Sequence, residues 1–196
     1  MLQSKFSALA MGLVVLGLAG CETLNPTISP PLGLPATMTL PAGTDLRVVD
    51  VVVSVPLSLT VSEINGRYPT GTDIVWRGEA FGDRHAQVTA IFDEAGNRAV
   101  AQDGGTQSVI ADIAVTRFHG ITPGTHAVGD GVYTMHFTIS YRDARTGLPL
   151  GPARAVEADL VQPPESPSLV TDREPVIAHL AAFFAREFAT PVGLGR

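Results

Sequence analysis

The chain has 196 residues, with 13 Lys or Arg against 19 Asp or Glu and a formal net charge of −6 at pH 7. This acidic balance argues against binding nucleic acid or anionic lipid headgroups through bulk charge. The single cysteine, Cys21, excludes an intramolecular disulfide, so the core alone must hold the fold together. The length suits one domain with a sizeable core.

Residues 1–20 predict a lipoprotein signal peptide. Lys5 precedes an uncharged, mostly apolar run over residues 6–20, which is too short to span a bilayer core of about 30 Å. The run leads into LAGC at residues 18–21, which resembles the lipobox of bacterial lipoproteins. This resemblance implies cleavage before Cys21 and lipidation of its thiol, and two or three acyl chains anchor a protein stably. An ordinary secretory peptide, the alternative, gives no reason for the position of the only cysteine.

Residues 21–44 predict a lipidated cysteine followed by a semi-rigid tether. Five prolines lie between Glu22 and Thr44, and each restricts the preceding residue to extended conformations. Fully extended, the tether would reach on the order of 60 Å. Glu22 differs from the aspartate that retains well-studied lipoproteins in the inner membrane, so the lipobox resemblance favours the outer membrane, on its periplasmic face.

Four segments predict strands from their β-branched content and alternation. The first is nearly continuously apolar over residues 48–55, as in a covered sheet, and the third alternates apolar with polar residues. A hairpin turn at residues 143–147 precedes the fourth, which Gly151-Pro152 interrupts, so we expect it to lie at an edge or to be regular only after Ala153. The four segments are 46–60, 109–119, 131–141 and 148–161.

Two segments predict helices. Residues 72–95 carry an apolar stripe, with Gly78 and Gly82 predicting a break near residues 81–82 and Gly96 suited to the end. The second helix opens near Glu174, and it places an amphipathic face toward the core. The apolar residues of that face are Val176, Ile177, Leu180, Phe183, Phe184 and Phe188.

The resulting element order, βαβββα, predicts an α+β fold. We expect a two-layer sandwich in which two helices cover one face of a mixed, roughly four-stranded sheet. The predicted organisation is a signal peptide at 1–20, a lipidated tether at 21–44, a single domain at 45–190 and a loose tail at 191–196.

The histidines offer one candidate for a metal site. None of the five lies in a recognised zinc pattern. His119, His126 and His136 flank one loop or lie on a neighbouring strand, and Asp112 or Asp130 could complete a site if the three converge. Loop and strand histidines are also common on protein surfaces, so the pattern favours no metal and no cofactor.

Catalytic motifs are missing from the sequence. It has no Gly-x-Ser-x-Gly elbow, and a Ser-x-x-Lys motif is excluded because Lys5 is the only lysine. The run Asp83-Arg84-His85 would form a reactive cluster only if its side chains faced one pocket. Trp76 is either an exposed anchor for a protein contact or a half-buried residue that covers the sheet, and the pattern favours the second. Arg117-Phe118-His119 ends a strand and is either a recognition edge or a place where Phe118 continues the core.

DIVW at residues 73–76, RFH at 117–119 and DARTG at 143–147, together with the lipobox, resemble a family of uncharacterised alphaproteobacterial lipoproteins with a domain of unknown function. The resemblance covers most of residues 45–190 and implies no activity. The element order is also similar to small α+β domains in envelope accessory lipoproteins, which bind larger machines.

These patterns favour a membrane-anchored envelope lipoprotein that is not an enzyme. We expect its partners to be the membrane, through the lipid on Cys21, and another envelope protein, but no nucleic acid. The alternative is a tethered metal-binding protein or hydrolase that uses the His119, His126 and His136 region.

Overall fold

All residues that the computed structural model describes lie in the part of the chain from Leu34 to Arg196. The predicted signal peptide, Cys21, Asp130, the loose tail and nearly all of the tether lie outside the described residues. The described residues are 38, 44–66, 70–100, 105–128, 131–162 and 172–189.

The described part contains six strands and three helices. Its α+β class is as predicted, but the numbers of strands and helices exceed the four and two expected. The strands are β1 (Leu46–Ser54), β2 (Ile74–Val75), β3 (Gln107–His119), β4 (Val132–Asp143), β5 (Arg154–Glu157) and β6 (Leu160–Val161), and the helices are α1 (Arg84–Ala99), α2 (Pro123–His126) and α3 (Glu174–Ala189).

The sheet is mixed, and each of its outer positions is shared by two strands. The path runs β1-β3-β4-β5, with β1 and β2 parallel to β3 and the remaining pairs antiparallel. β2 pairs with the last two residues of β3, past the point where β1 ends. β6 pairs with the first two residues of β4, before the part that pairs with β5. The first outer position is split because Pro56, which has no N–H to donate, follows the end of β1. Four strand positions therefore contain six strands.

Both long helices cover the same face of this sheet. Phe92 of α1 and Phe184 of α3 contact Phe137 of β4 edge to face, with ring centroids 5.5 and 5.6 Å apart. Phe137 belongs to the buried face of β4, whereas its neighbours His136 and Thr138 on the other face are partly exposed. The core lies between the helices and this face, as the alternation in β4 predicted.

The first predicted helix is wrong at its beginning. Ile74 and Val75 form β2 and pair with Phe118 and His119, and α1 begins ten residues later than Ile74, at Arg84. Asp83 caps the helix, accepting a hydrogen bond from the Ala86 N–H at 3.1 Å. The predicted break near Gly82 is thus the start of the helix. Two β-branched residues that seemed to begin a helical stripe instead fit a strand.

The end of α1 also differs from the prediction. The helix continues to Ala99, so Gly96 lies inside it and not at its C-terminus. A Cβ atom on Gly96 would lie 2.9 Å from a methyl carbon of Val51 in β1. Glycine at this position therefore allows the helix to approach the sheet closely.

The last strand and the last helix follow the sequence pattern. β5 begins at Arg154, directly after Ala153, as Gly151-Pro152 predicted. α3 begins at Glu174, whose N–H donates to Asp172 Oδ1 at 2.9 Å. Five of its six predicted apolar residues are buried, and the sixth, Phe183, is partly buried against the core.

Candidate functional site

The two ends of the sheet differ in what they carry. At one end, called here the distal end, β3 stops and β4 starts, since His119 lies opposite Thr134. At the opposite, proximal end β1 begins, and the Met38 N–H donates to the carbonyl of Pro149 at 2.8 Å. The 13 residues of β3 separate the two ends by about 40 Å. Met38 and Thr44, the described residues of the predicted tether, therefore lie at the proximal end.

A network of two arginines around one carboxylate joins the segments of the distal end. Arg84 donates from Nε to Glu63 Oε1 at 2.7 Å and from Nη2 to Oε2 at 3.1 Å, and Arg77 Nη1 donates to Oε2 at 2.9 Å. The bond from Arg84 is the largest cause that holds the pKa of Glu63 below its ordinary value. We call Glu63, Arg77 and Arg84 the Glu63 clasp.

The remaining donors of the clasp are also engaged. Arg84 is only 4% exposed, and its Nη1 donates to Gln87 Oε1 at 2.6 Å and to the Ala80 carbonyl at 3.2 Å. Arg77 donates to Asn65 Oδ1 and to the Trp76 carbonyl, both at 2.8 Å. These arginines therefore hold the loops together and have little capacity left for a ligand.

The run Asp83-Arg84-His85 does not form a reactive cluster. Asp83 caps α1, Arg84 belongs to the clasp, and His85 Nε2 lies 3.0 Å from the carbonyl of Leu59. The three side chains have separate partners because neighbouring residues at a helix start point in different directions. Asp83 therefore caps the helix, Arg84 forms an ion pair, and His85 contacts the loop after β1.

Two of the three candidate histidines, His119 and His136, have partners of their own. His119 Nε2 lies 2.8 Å from the Thr72 carbonyl, and burial lowers the pKa of this half-buried imidazole. His136 Nε2 lies 3.5 Å from Asp159 Oδ1, while His126 ends the short helix α2. In the part of the chain that the structure describes, no three His, Cys, Asp or Glu residues are placed to hold a metal ion.

Asp112, proposed as a further ligand, also has its own partner. Its carboxylate accepts two bonds from Arg142 Nε at 3.0 and 2.9 Å across β3 and β4, on the sheet face that the helices leave uncovered. This ion pair explains the acidic residue without a metal.

The two aromatic candidates for a partner contact are core residues. Trp76 is 1% exposed and Phe118 is fully buried, and their rings meet edge to face with centroids 5.4 Å apart. Gly78 and Gly120 lie against the indole, because a Cβ atom on them would come within 2.2 and 3.0 Å of its ring carbons. The prediction that Phe118 continues the core is therefore confirmed, whereas Trp76 is fully buried and not half-buried over the sheet as expected.

The exposed apolar side chains of the described residues are concentrated at the distal end. Ten large apolar residues are exposed, and seven of them lie at that end, whereas Val49, Val52 and Leu148 lie elsewhere. Such concentration is typical of an interaction surface. The seven are Leu57, Val61, Ile64, Phe81, Val128, Val132 and Val161.

Three of these side chains lie in segments joined by the clasp. Leu57 is 85% exposed, Phe81 83% and Ile64 66%, and we call the three the distal apolar surface. None of the three was predicted from the sequence as a functional residue. The sequence feature that could have identified them is a large apolar residue next to a residue that favours loops, such as Pro56 before Leu57 and Gly82 after Phe81.

Among the described residues, no helix is long and apolar enough to cross a membrane. Residues 46–195 match the model of a family described as "Family of unknown function (DUF6778)". No curated protein matches the chain significantly.

Two solved structures show some likeness. One is the crystal structure of a Xanthomonas campestris protein described with the family DUF330, with 16% identity and a TM-score of 0.42, covering 81% of this chain and 90% of that chain. The other is the crystal structure of an uncharacterized protein, with 18% identity, a TM-score of 0.32, and coverage of 81% and 97%. The family match, which covers well over half of the sequence, shows that this chain belongs to the DUF6778 family of unknown function.

Proposed function

We propose that the mature protein is an envelope lipoprotein, attached through Cys21 to the periplasmic face of the outer membrane, whose domain binds another envelope protein and catalyses no reaction. The lipobox, the proline-rich tether and the resemblance to alphaproteobacterial lipoproteins support the anchor. In this arrangement the tether would join the domain near its proximal end, and the distal end would face away from the membrane.

The observation that carries the binding role is the concentration of exposed apolar side chains at the distal end. Phe81, at 83% exposed, is the aromatic residue among them, and aromatic residues are enriched in the cores of protein interfaces. The polar candidates for chemistry, in contrast, are engaged in caps, ion pairs and carbonyl contacts. The described part of the chain therefore offers a contact surface more readily than a catalytic centre.

Photo-crosslinking in cells tests this proposal. A photoreactive amino acid at Phe81 should capture an envelope protein, whereas the same amino acid at Leu148, at the proximal end, should not. Capture at neither position would contradict the binding role. Elemental analysis of the purified domain provides a second test, because stoichiometric zinc that is lost in His119→Ala would favour the metal-binding alternative.

A further inference from the structure

We draw no further inference here: the strongest candidate, the uncovered face of the sheet where Arg117 of β3, His136 of β4 and Glu157 of β5 lie side by side, carries a mixed charge, and nothing in the described part of the chain shows what covers it.

Discussion

Arg84 donates to both carboxylate oxygens of Glu63, at 2.7 and 3.1 Å, across 21 residues of sequence. The arginine is almost fully buried, but the glutamate side chain is 39% exposed, so water still reaches the carboxylate. The cost of burying the pair therefore falls mainly on the guanidinium, and carbonyl oxygens around it offset that cost. This pair connects the start of α1 to the loop that follows β1.

Arg84→Met should destabilise the fold. Methionine keeps much of the length and apolar volume but leaves Glu63 Oε1 and Gln87 Oε1 without the donor that Arg84 supplies, at a cost of about 2–4 kcal/mol. Urea denaturation measures the change. Arg145→Met, at an exposed position in the turn after β4, should stay within about 0.5 kcal/mol of the wild type, and an equal effect of the two changes would contradict the structural importance of the pair.

Asp143 should make stability depend on pH. Its Oδ1 accepts bonds from the N–H and hydroxyl of Thr146, both at 2.6 Å, which hold the pKa of Asp143 below its ordinary value of 3.8. Because the folded pKa is the lower one, the stabilisation is fully present above pH 3.8 and is lost as the pH falls through the folded pKa. Urea unfolding of Asp143→Asn should show a shallower loss at acid pH, and an unchanged slope would exclude this role.

Gly78→Ala should disturb the loop that carries Phe81. The added Cβ would lie 2.2 and 2.3 Å from two ring carbons of the buried Trp76, so the loop must move or the indole must shift, at about 1–3 kcal/mol. Gly82→Ala is the control in the same loop, because its Cβ meets only the end of the Gln87 side chain, at 3.2 Å. Thermal unfolding and tryptophan fluorescence should change in the first variant and not in the second.

Asp50→Val should promote self-association through β1. Within the described sheet β1 pairs with β3 alone, and a bulge between Val48 and Asp50 interrupts its ladder. Asp50 Oδ1 also accepts a bond from the Val51 N–H at 2.9 Å. A charge and a bulge both protect an edge strand from pairing with another chain. Light scattering should show larger species in Asp50→Val than in the control Thr116→Val, which adds an apolar side chain to the inner strand β3.

Cys21 and Glu22 should determine the membrane location of the mature protein. Cys21→Ser should remove the lipid and release the protein from the membrane fraction, since no acyl chain remains to anchor it. Glu22→Asp should shift the protein from the outer to the inner membrane. Mass spectrometry of the N-terminal peptide and membrane fractionation measure both effects, and a wild-type protein found only in the inner membrane would refute the expected address.

Local periodicity made β4, α3 and the start of β5 predictable. Apolar residues recur at every second position through β4 and at helical spacing through several turns of α3. Each pattern places one face of its element on the core. Gly151-Pro152 fixes where β5 can begin because proline cannot donate to the ladder. The predicted domain of unknown function also agrees with the family match over residues 46–195.

The strand β2 and the burial of Trp76 could not be predicted, because both depend on residues more than 40 positions away in the sequence. Ile74 and Val75 form a strand only because Phe118 and His119 are available beside them. Trp76 is buried for the same reason, since its ring packs on Phe118. Periodicity over a short window cannot distinguish such a strand from the first turn of a helix.

The sequence by itself determined the α+β class and the core faces of β4 and α3, because each depends on neighbouring residues along the chain. Only the tertiary structure decided which side chains meet at the distal end. Glu63 bonds to Arg84, and the ring of Phe81 lies near the same arginine, through chain segments that the sheet brings together. Contacts at such sequence separations depend on strand order and register, which no local pattern encodes.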